Sequence, residues 1–225
     1  MTRALVSKEL RETMGIAVLG LAVLVSVAVI SMGWSPLPGI LPAWGRSSIP
    51  FVGDSFVTHF GIAAFGLAAV LGFRQAVADF SGDAQQVLLH LPIPRERIYL
   101  TKLAVGLATY LACSVAPIAL YAAWAATPGT HASPFEWSMT GDAWLVWLAM
   151  TAVYLGAFLS GIRPAAWLGT RLAPLAASLI PLGVITLFSL LLVVLPWMLG
   201  LLFLLAFDVL LIVLIVFVVQ TRDFA

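Results

Sequence analysis

Between Ala173 and Val219 the chain carries one charged residue, Asp208. A helix needs roughly 20 mostly apolar residues to cross the ~30 Å hydrocarbon layer of a bilayer, so this stretch is too long for a single crossing. Four more apolar blocks precede it: Gly15–Met32, Phe56–Phe73, Leu103–Ala126 and Ala143–Ile162. Pro196-Trp197 falls inside the long stretch. Proline disfavours continuation of a helix and tryptophan favours the membrane–water interface, so a tight hairpin is expected there. The sequence therefore predicts an all-α integral membrane protein of six spans, at about 15–32, 56–73, 103–126, 143–162, 173–195 and 199–219, in one membrane domain over residues 1–225.

Composition agrees. The chain is 62% hydrophobic and 9% charged, whereas soluble domains average about 25% charged, so it lacks the polar residues to clothe a water-facing surface. A net charge of +1 offers no basic footprint, so no nucleic-acid partner is expected. Cys113 is the only cysteine, which rules out an intrachain disulfide or a CxxC pair.

Orientation is read from lysine and arginine. With the N-terminus cytoplasmic, Arg3, Lys8, Arg11, Arg74, Arg95, Arg97, Lys102, Arg163, Arg171 and Arg222 lie inside and only Arg46 lies outside. That bias predicts cytoplasmic termini. Ala152, Gly156 and Ser160 recur every four residues and give span four a stripe for close helix contact.

Chemistry is sparse. Neither lysine follows the glycines of a phosphate-cradling loop, and G-x-S-x-G and H-E-x-x-H are absent, so no enzymatic activity, cofactor or metal site is expected in this chain. Of the histidines, His59 and His131 fall on the outer side and His90 on the inner, so only the first two could meet. Asp208 is the single intramembrane charge. A mid-bilayer carboxylate costs about 2.5–3.5 kcal/mol on insertion scales, so it must face protein or water or be protonated. Two roles are open, a proton or cation relay and a carboxyl that holds helices together; the lack of a second intramembrane charge favours the second.

Two inner segments carry more information. Over Thr2–Thr13, Val6, Leu10, Thr13 and Met14 share one helical face while Ser7, Lys8, Arg11 and Glu12 lie on the other, and Lys8 and Glu12 are i,i+4 neighbours. A short amphipathic helix on the inner leaflet is expected, with Lys8, Glu9, Arg11 and Glu12 at the interface. In Arg74–Lys102, Gly82-Asp83 can cap a short helix Ala84–Leu91 that Pro92-Ile93-Pro94 stops. Val87, Leu88 and Leu91 would then set an apolar patch on a helix outside the membrane, a surface on which a partner protein can dock.

These residues resemble those of ABC-2-type transporter permeases. Lys8-Glu9-Leu10-Arg11 ahead of a first span is similar to their opening, and Gly82 to Ile98 with Lys102-Leu103 is similar to their inner loop, with its Leu-Pro-hydrophobic-x-Arg run and its lysine entering span three. Phe80, Asp83 and Gln85 depart from the usual Glu, Thr and Glu of that loop. The small haem-export permeases of cytochrome c maturation are similar in size and loop pattern. The resemblance implies a plasma-membrane subunit (the bacterial inner membrane) that forms an export path with a second permease copy, as homodimer or heterodimer. A separate ATPase subunit would bind ATP and Mg and dock on the N-terminal helix and on the inner loop at Asp83, Gln85, Val87, Leu88, Leu91, Pro92, Arg95, Arg97 and Lys102. An ion-coupled carrier using Asp208 and a non-transporting membrane scaffold remain alternative expectations.

Overall fold

The computed structural model describes residues 2–34, 49–52, 54–77, 94–131, 133–163, 167–191 and 196–221. Within them the protein is all helical. The elements are α1 (Thr2–Ser31), α2 (Phe56–Val77), α3 (Arg95–Ala126), a 3-10 turn (Trp137–Thr140), α4 (Gly141–Ile162), α5 (Leu168–Ala177), α6 (Ile180–Leu191) and α7 (Pro196–Thr221). Six helical stretches are long and apolar enough to cross a membrane: Arg3–Ser31, Phe56–Val77, Glu96–Ala126, Trp137–Ile162, Leu168–Thr186 and Met198–Thr221. This is the architecture of a multi-pass membrane protein.

α4 is the centre. In its most apolar stretch 83% of residues are buried, against 17–44% in the other five. α2 packs along one side of it at very short range: a Cβ on Gly72 would stand 2.5 Å from the Tyr154 carbonyl oxygen and 3.0 Å from the Phe158 nitrogen. Without a hydrophobic force between helices in lipid, such close backbone approach supplies the dispersion contacts that hold them. On the other side, Gly156 lies under Pro174 and Ser178, and Ser160 Oγ accepts a hydrogen bond from the Leu175 N–H at 3.1 Å. The stripe of small residues expected on span four is thus the seat of α5.

The fifth span is not one rod. It breaks at Ser178-Leu179, between α5 and α6, with Pro174 inside α5 and Pro181 in the first turn of α6. Pro174 has no N–H for the Thr170 carbonyl, and Nη1 of Arg163 reaches that oxygen at 3.4 Å. α6 ends at Leu191 and α7 begins at Pro196, where the hairpin was expected, since proline suits a first helical position.

α1 corrects the sequence reading. No turn separates an interfacial helix from span one; a single helix of 30 residues, about 45 Å long at ~1.5 Å per residue, runs from Thr2 to Ser31. Glu9 also differs from expectation, since it is buried rather than at the interface. Glu9, Thr13, Ala17, Gly20 and Leu24 are buried, while Val6, Leu10 and Met14 are 39%, 44% and 48% exposed. Beside a bilayer an apolar side chain can face lipid at no cost, whereas a carboxylate must turn toward protein. α3 starts at Arg95, directly after Pro94, the residue that can begin the helix of span three, so the helix runs eight residues ahead of the apolar block at Leu103 and Lys102 lies within it.

Candidate functional site

The extended starts of α1 and α3 create the most polar place in the interior. Lys102 Nζ lies 3.3 Å from Glu9 Oε1, with side chains 0% and 1% exposed. Thr13 Oγ1 donates to the Glu9 carbonyl at 2.9 Å, bracing that turn of α1. From α2 the Gln75 amide donates to the Lys102 carbonyl at 3.1 Å. From α4 the Tyr154 hydroxyl faces two acceptors, Gln75 Oε1 at 2.5 Å and the Leu103 carbonyl at 3.1 Å. Four helices meet in this one network. Gly106 makes room for it, because a Cβ there would collide with the Gln75 amide and the Tyr154 hydroxyl. Beyond it, the Gln220 amide of α7 donates to Glu96 Oε2 of α3 at 3.2 Å, so the same end of the bundle also holds the end of α7.

Buried ion pairs contribute little net stability, because desolvation offsets their attraction, but removing one partner leaves a costly buried charge. What the pair does supply is registry. It fixes how far α1 slides along α3 and which face of α1 turns inward.

The residues singled out from the sequence fall into four groups. Lys8 and Glu12 form the expected i,i+4 ion pair at 3.6 Å, partly exposed, and Arg11 beside them is exposed. Glu9 and Lys102, expected at an interface and on a docking loop, are instead buried against each other. Arg95 opens α3 and Arg97, two residues further into its first turn, is exposed. Asp83, Gln85, Val87, Leu88, Leu91 and Pro92, with the short helix Ala84–Leu91 and His90, lie outside the described residues.

Asp208 sits midway along α7 against α4, where the Thr151 hydroxyl meets its Oδ2 at 2.6 Å. Its Oδ1 is buried without a hydrogen-bond partner among the described residues. The carboxyl therefore joins two spans.

Gln75 and Tyr154 escaped the sequence reading. Gln75 falls just past the apolar block of span two, where it reads as loop, and Tyr154 reads as one more aromatic in a span. Gly106 stands among other small residues, Ala104 and Ala108, so the sequence carried no distinct signal for either side chain.

The opposite end is braced by aromatics. The Tyr121 hydroxyl donates to Asp54, whose other oxygen accepts the Phe56 N–H at 3.1 Å and so caps the start of α2. Phe51 packs on Phe56 and Tyr121 with ring centroids 5.3 and 4.7 Å apart. His59 Nδ1 bonds the Ser55 carbonyl at 2.7 Å and His131 Nε2 the Ala125 carbonyl at 2.6 Å, so each ring serves its own local backbone. Among the described residues no group of three His, Cys, Asp or Glu side chains could hold a metal ion.

Fold and site together define a six-span helical membrane architecture with a buried polar lock at one end. Compared with protein-family models, curated proteins and solved structures, the chain finds no match.

Proposed function

We propose that the chain is the membrane-spanning permease subunit of an ABC-type transporter, working in export and driven by a separate ATPase subunit that supplies ATP and Mg chemistry. The observation that carries this reading is the Glu9–Lys102 pair. The resemblance gives the N-terminal helix and the loop entering span three to ATPase contact, and the pair ties those two segments to each other. Gln75 and Tyr154 extend the tie to α2 and α4. A push on the loop between α2 and α3 would then move four helices as a block, which is what mechanical coupling to a distant ATPase requires. The arginine and lysine bias supports cytoplasmic placement of that end, and the resemblance supports the plasma membrane. A second copy completes the path.

The test is affinity purification of the full chain from its native membrane. A co-purifying protein with a Walker A sequence, whose ATP hydrolysis responds to this chain, is the expected result; purification without any nucleotide-hydrolysing partner overturns it.

One observation favours a second reading. Asp208 has a buried oxygen without a hydrogen-bond partner among the described residues, and an ion-coupled carrier would use such a group to take up a proton.

A further inference from the structure

At the Glu9 end, Val6 of α1 and the first turns of α3 line an open groove of about 640 Å³. Its walls are mostly apolar, with Val6 on α1 and Leu100, Ala104, Val105 and Ala108 on α3, and the Thr101 hydroxyl is the polar group among them. Its mouth is charged. Glu96 and Arg97 line it there, one helical turn or less from the first residue of α3.

The two mouth charges are not equivalent. Glu96 accepts the Gln220 amide at 3.2 Å and is thereby turned toward α7. Arg97 is exposed, and among the described residues its guanidinium has no carboxylate or carbonyl acceptor. On α1, Arg3 precedes Val6 by three positions, so a second exposed cation lies on the face that lines the groove.

Depth fixes what can enter. α3 has 32 residues, about 48 Å at ~1.5 Å per residue, against a hydrocarbon layer of ~30 Å. Trp124 lies at the far end of α3, and tryptophan settles at the membrane interface. The excess length therefore projects at the Arg97 end, through the headgroup layer. Arg97 stands at or beyond phosphate level and Ala108 reaches the top of the acyl region. A groove with an exposed arginine at phosphate level, beside a carboxylate engaged by Gln220, and mostly apolar walls below has the profile of an amphiphile whose head offers phosphate oxygens.

We propose that this groove is a binding site for an anionic phospholipid, its phosphate on Arg97 and an acyl chain against Ala104, Val105 and Ala108. Arginine suits the head because its planar fork matches phosphate oxygens in pairs. The small side chains Ala104 and Ala108 leave the depth that a chain fills. The site needs only the membrane-spanning architecture and is independent of the transport reading.

The full chain, purified in neutral detergent and stripped of lipid, is offered phosphatidylglycerol, phosphatidylcholine of the same acyl chains, or glycerol 3-phosphate. Native mass spectrometry counts retained lipid, and Tm reports stabilisation. Phosphatidylglycerol should be retained at least tenfold better than phosphatidylcholine, and glycerol 3-phosphate should leave Tm unchanged. Arg97→Gln should bring the two lipids to parity and Arg97→Lys should keep part of the preference. Ala108→Phe, on an exposed position where folding tolerates bulk, should lower retention of both lipids. Arg74→Gln, an exposed cation on α2 outside the groove, should change nothing. Equal retention of both lipids by the wild type overturns the proposal, as does an undiminished preference in Arg97→Gln. A Tm rise with glycerol 3-phosphate equal to that with the lipid would make it a plain anion site. Loss of a dimer in Ala108→Phe with lipid retention intact would assign the groove to a second copy of the chain.

Discussion

Glu9 and Lys102, 93 positions apart in the chain, meet as an ion pair of 3.3 Å with both side chains withdrawn from solvent. The pair links the first turns of α1 to the start of α3, and through the backbone of Lys102 and Leu103 it reaches Gln75 and Tyr154. Breaking it by halves should be costly. Lys102→Met leaves a buried carboxylate without its cation and should lower stability by about 3–5 kcal/mol, whereas Glu9→Gln with Lys102→Met should recover most of that loss. Thermal unfolding of the single and double variants in detergent measures the difference. Single variants as stable as the wild type would mean that the carboxylate finds other partners.

Close approach of α2 and α4 makes a second prediction. Gly72→Ala would set a Cβ 2.5 Å from the Tyr154 carbonyl oxygen, and backbone cannot step aside as a side chain can. Overpacking of this kind costs about 1–3 kcal/mol. Gly15→Ala is the control: nothing lies within 4 Å of its added methyl, and alanine is the better helix former. Tm should fall for the first and hold or rise for the second.

Asp208 separates the two transport readings. Asp208→Asn keeps the volume and the acceptor for Thr151 while removing the charge, so helix packing and expression should persist. If the chain is an ATP-driven permease, transport also persists. Complete loss of transport with normal expression would favour the ion-coupled carrier.

The inner loop tests coupling itself. Burial of one Leu or Val against a docked subunit is worth roughly 1.5–3 kcal/mol, and about 1.4 kcal/mol is one decade in affinity. Leu88→Asp should therefore weaken ATPase pull-down at least tenfold and depress stimulated ATP hydrolysis, with membrane insertion unaffected. Arg95→Ala completes the test: a loop that serves topology alone tolerates both changes. Unchanged binding and hydrolysis in Leu88→Asp would remove the coupling assignment.

Topology has its own measurement. Accessibility tags at the C-terminus and near Arg95 should both report the cytoplasmic side, as the distribution of lysine and arginine requires. A tag at either position reached from outside overturns the orientation.

The sequence by itself determined the number of spans and the hairpin at Pro196, though not the break at Ser178-Leu179 inside span five. Apolar length is a local property, and so are the Lys8–Glu12 spacing, the small side chains of span four and the proline that starts α7. Local pattern also fixed what could not be seen from it. A helical wheel groups Val6, Leu10 and Met14 on one side of α1 but cannot say whether that side meets protein or lipid, since both are apolar. The rotation of α1 was decided by Glu9, which needs Lys102, and Lys102 became available only because α3 begins at Arg95. That match depends on the relative heights of two helices, set by the packing of α1 against α2 and of α3 against α2 and α4, where Gly72 and Gly106 let backbone and polar side chains approach. Which side chain a helix turns inward is a property of its neighbours, and neighbours exist only in the tertiary structure.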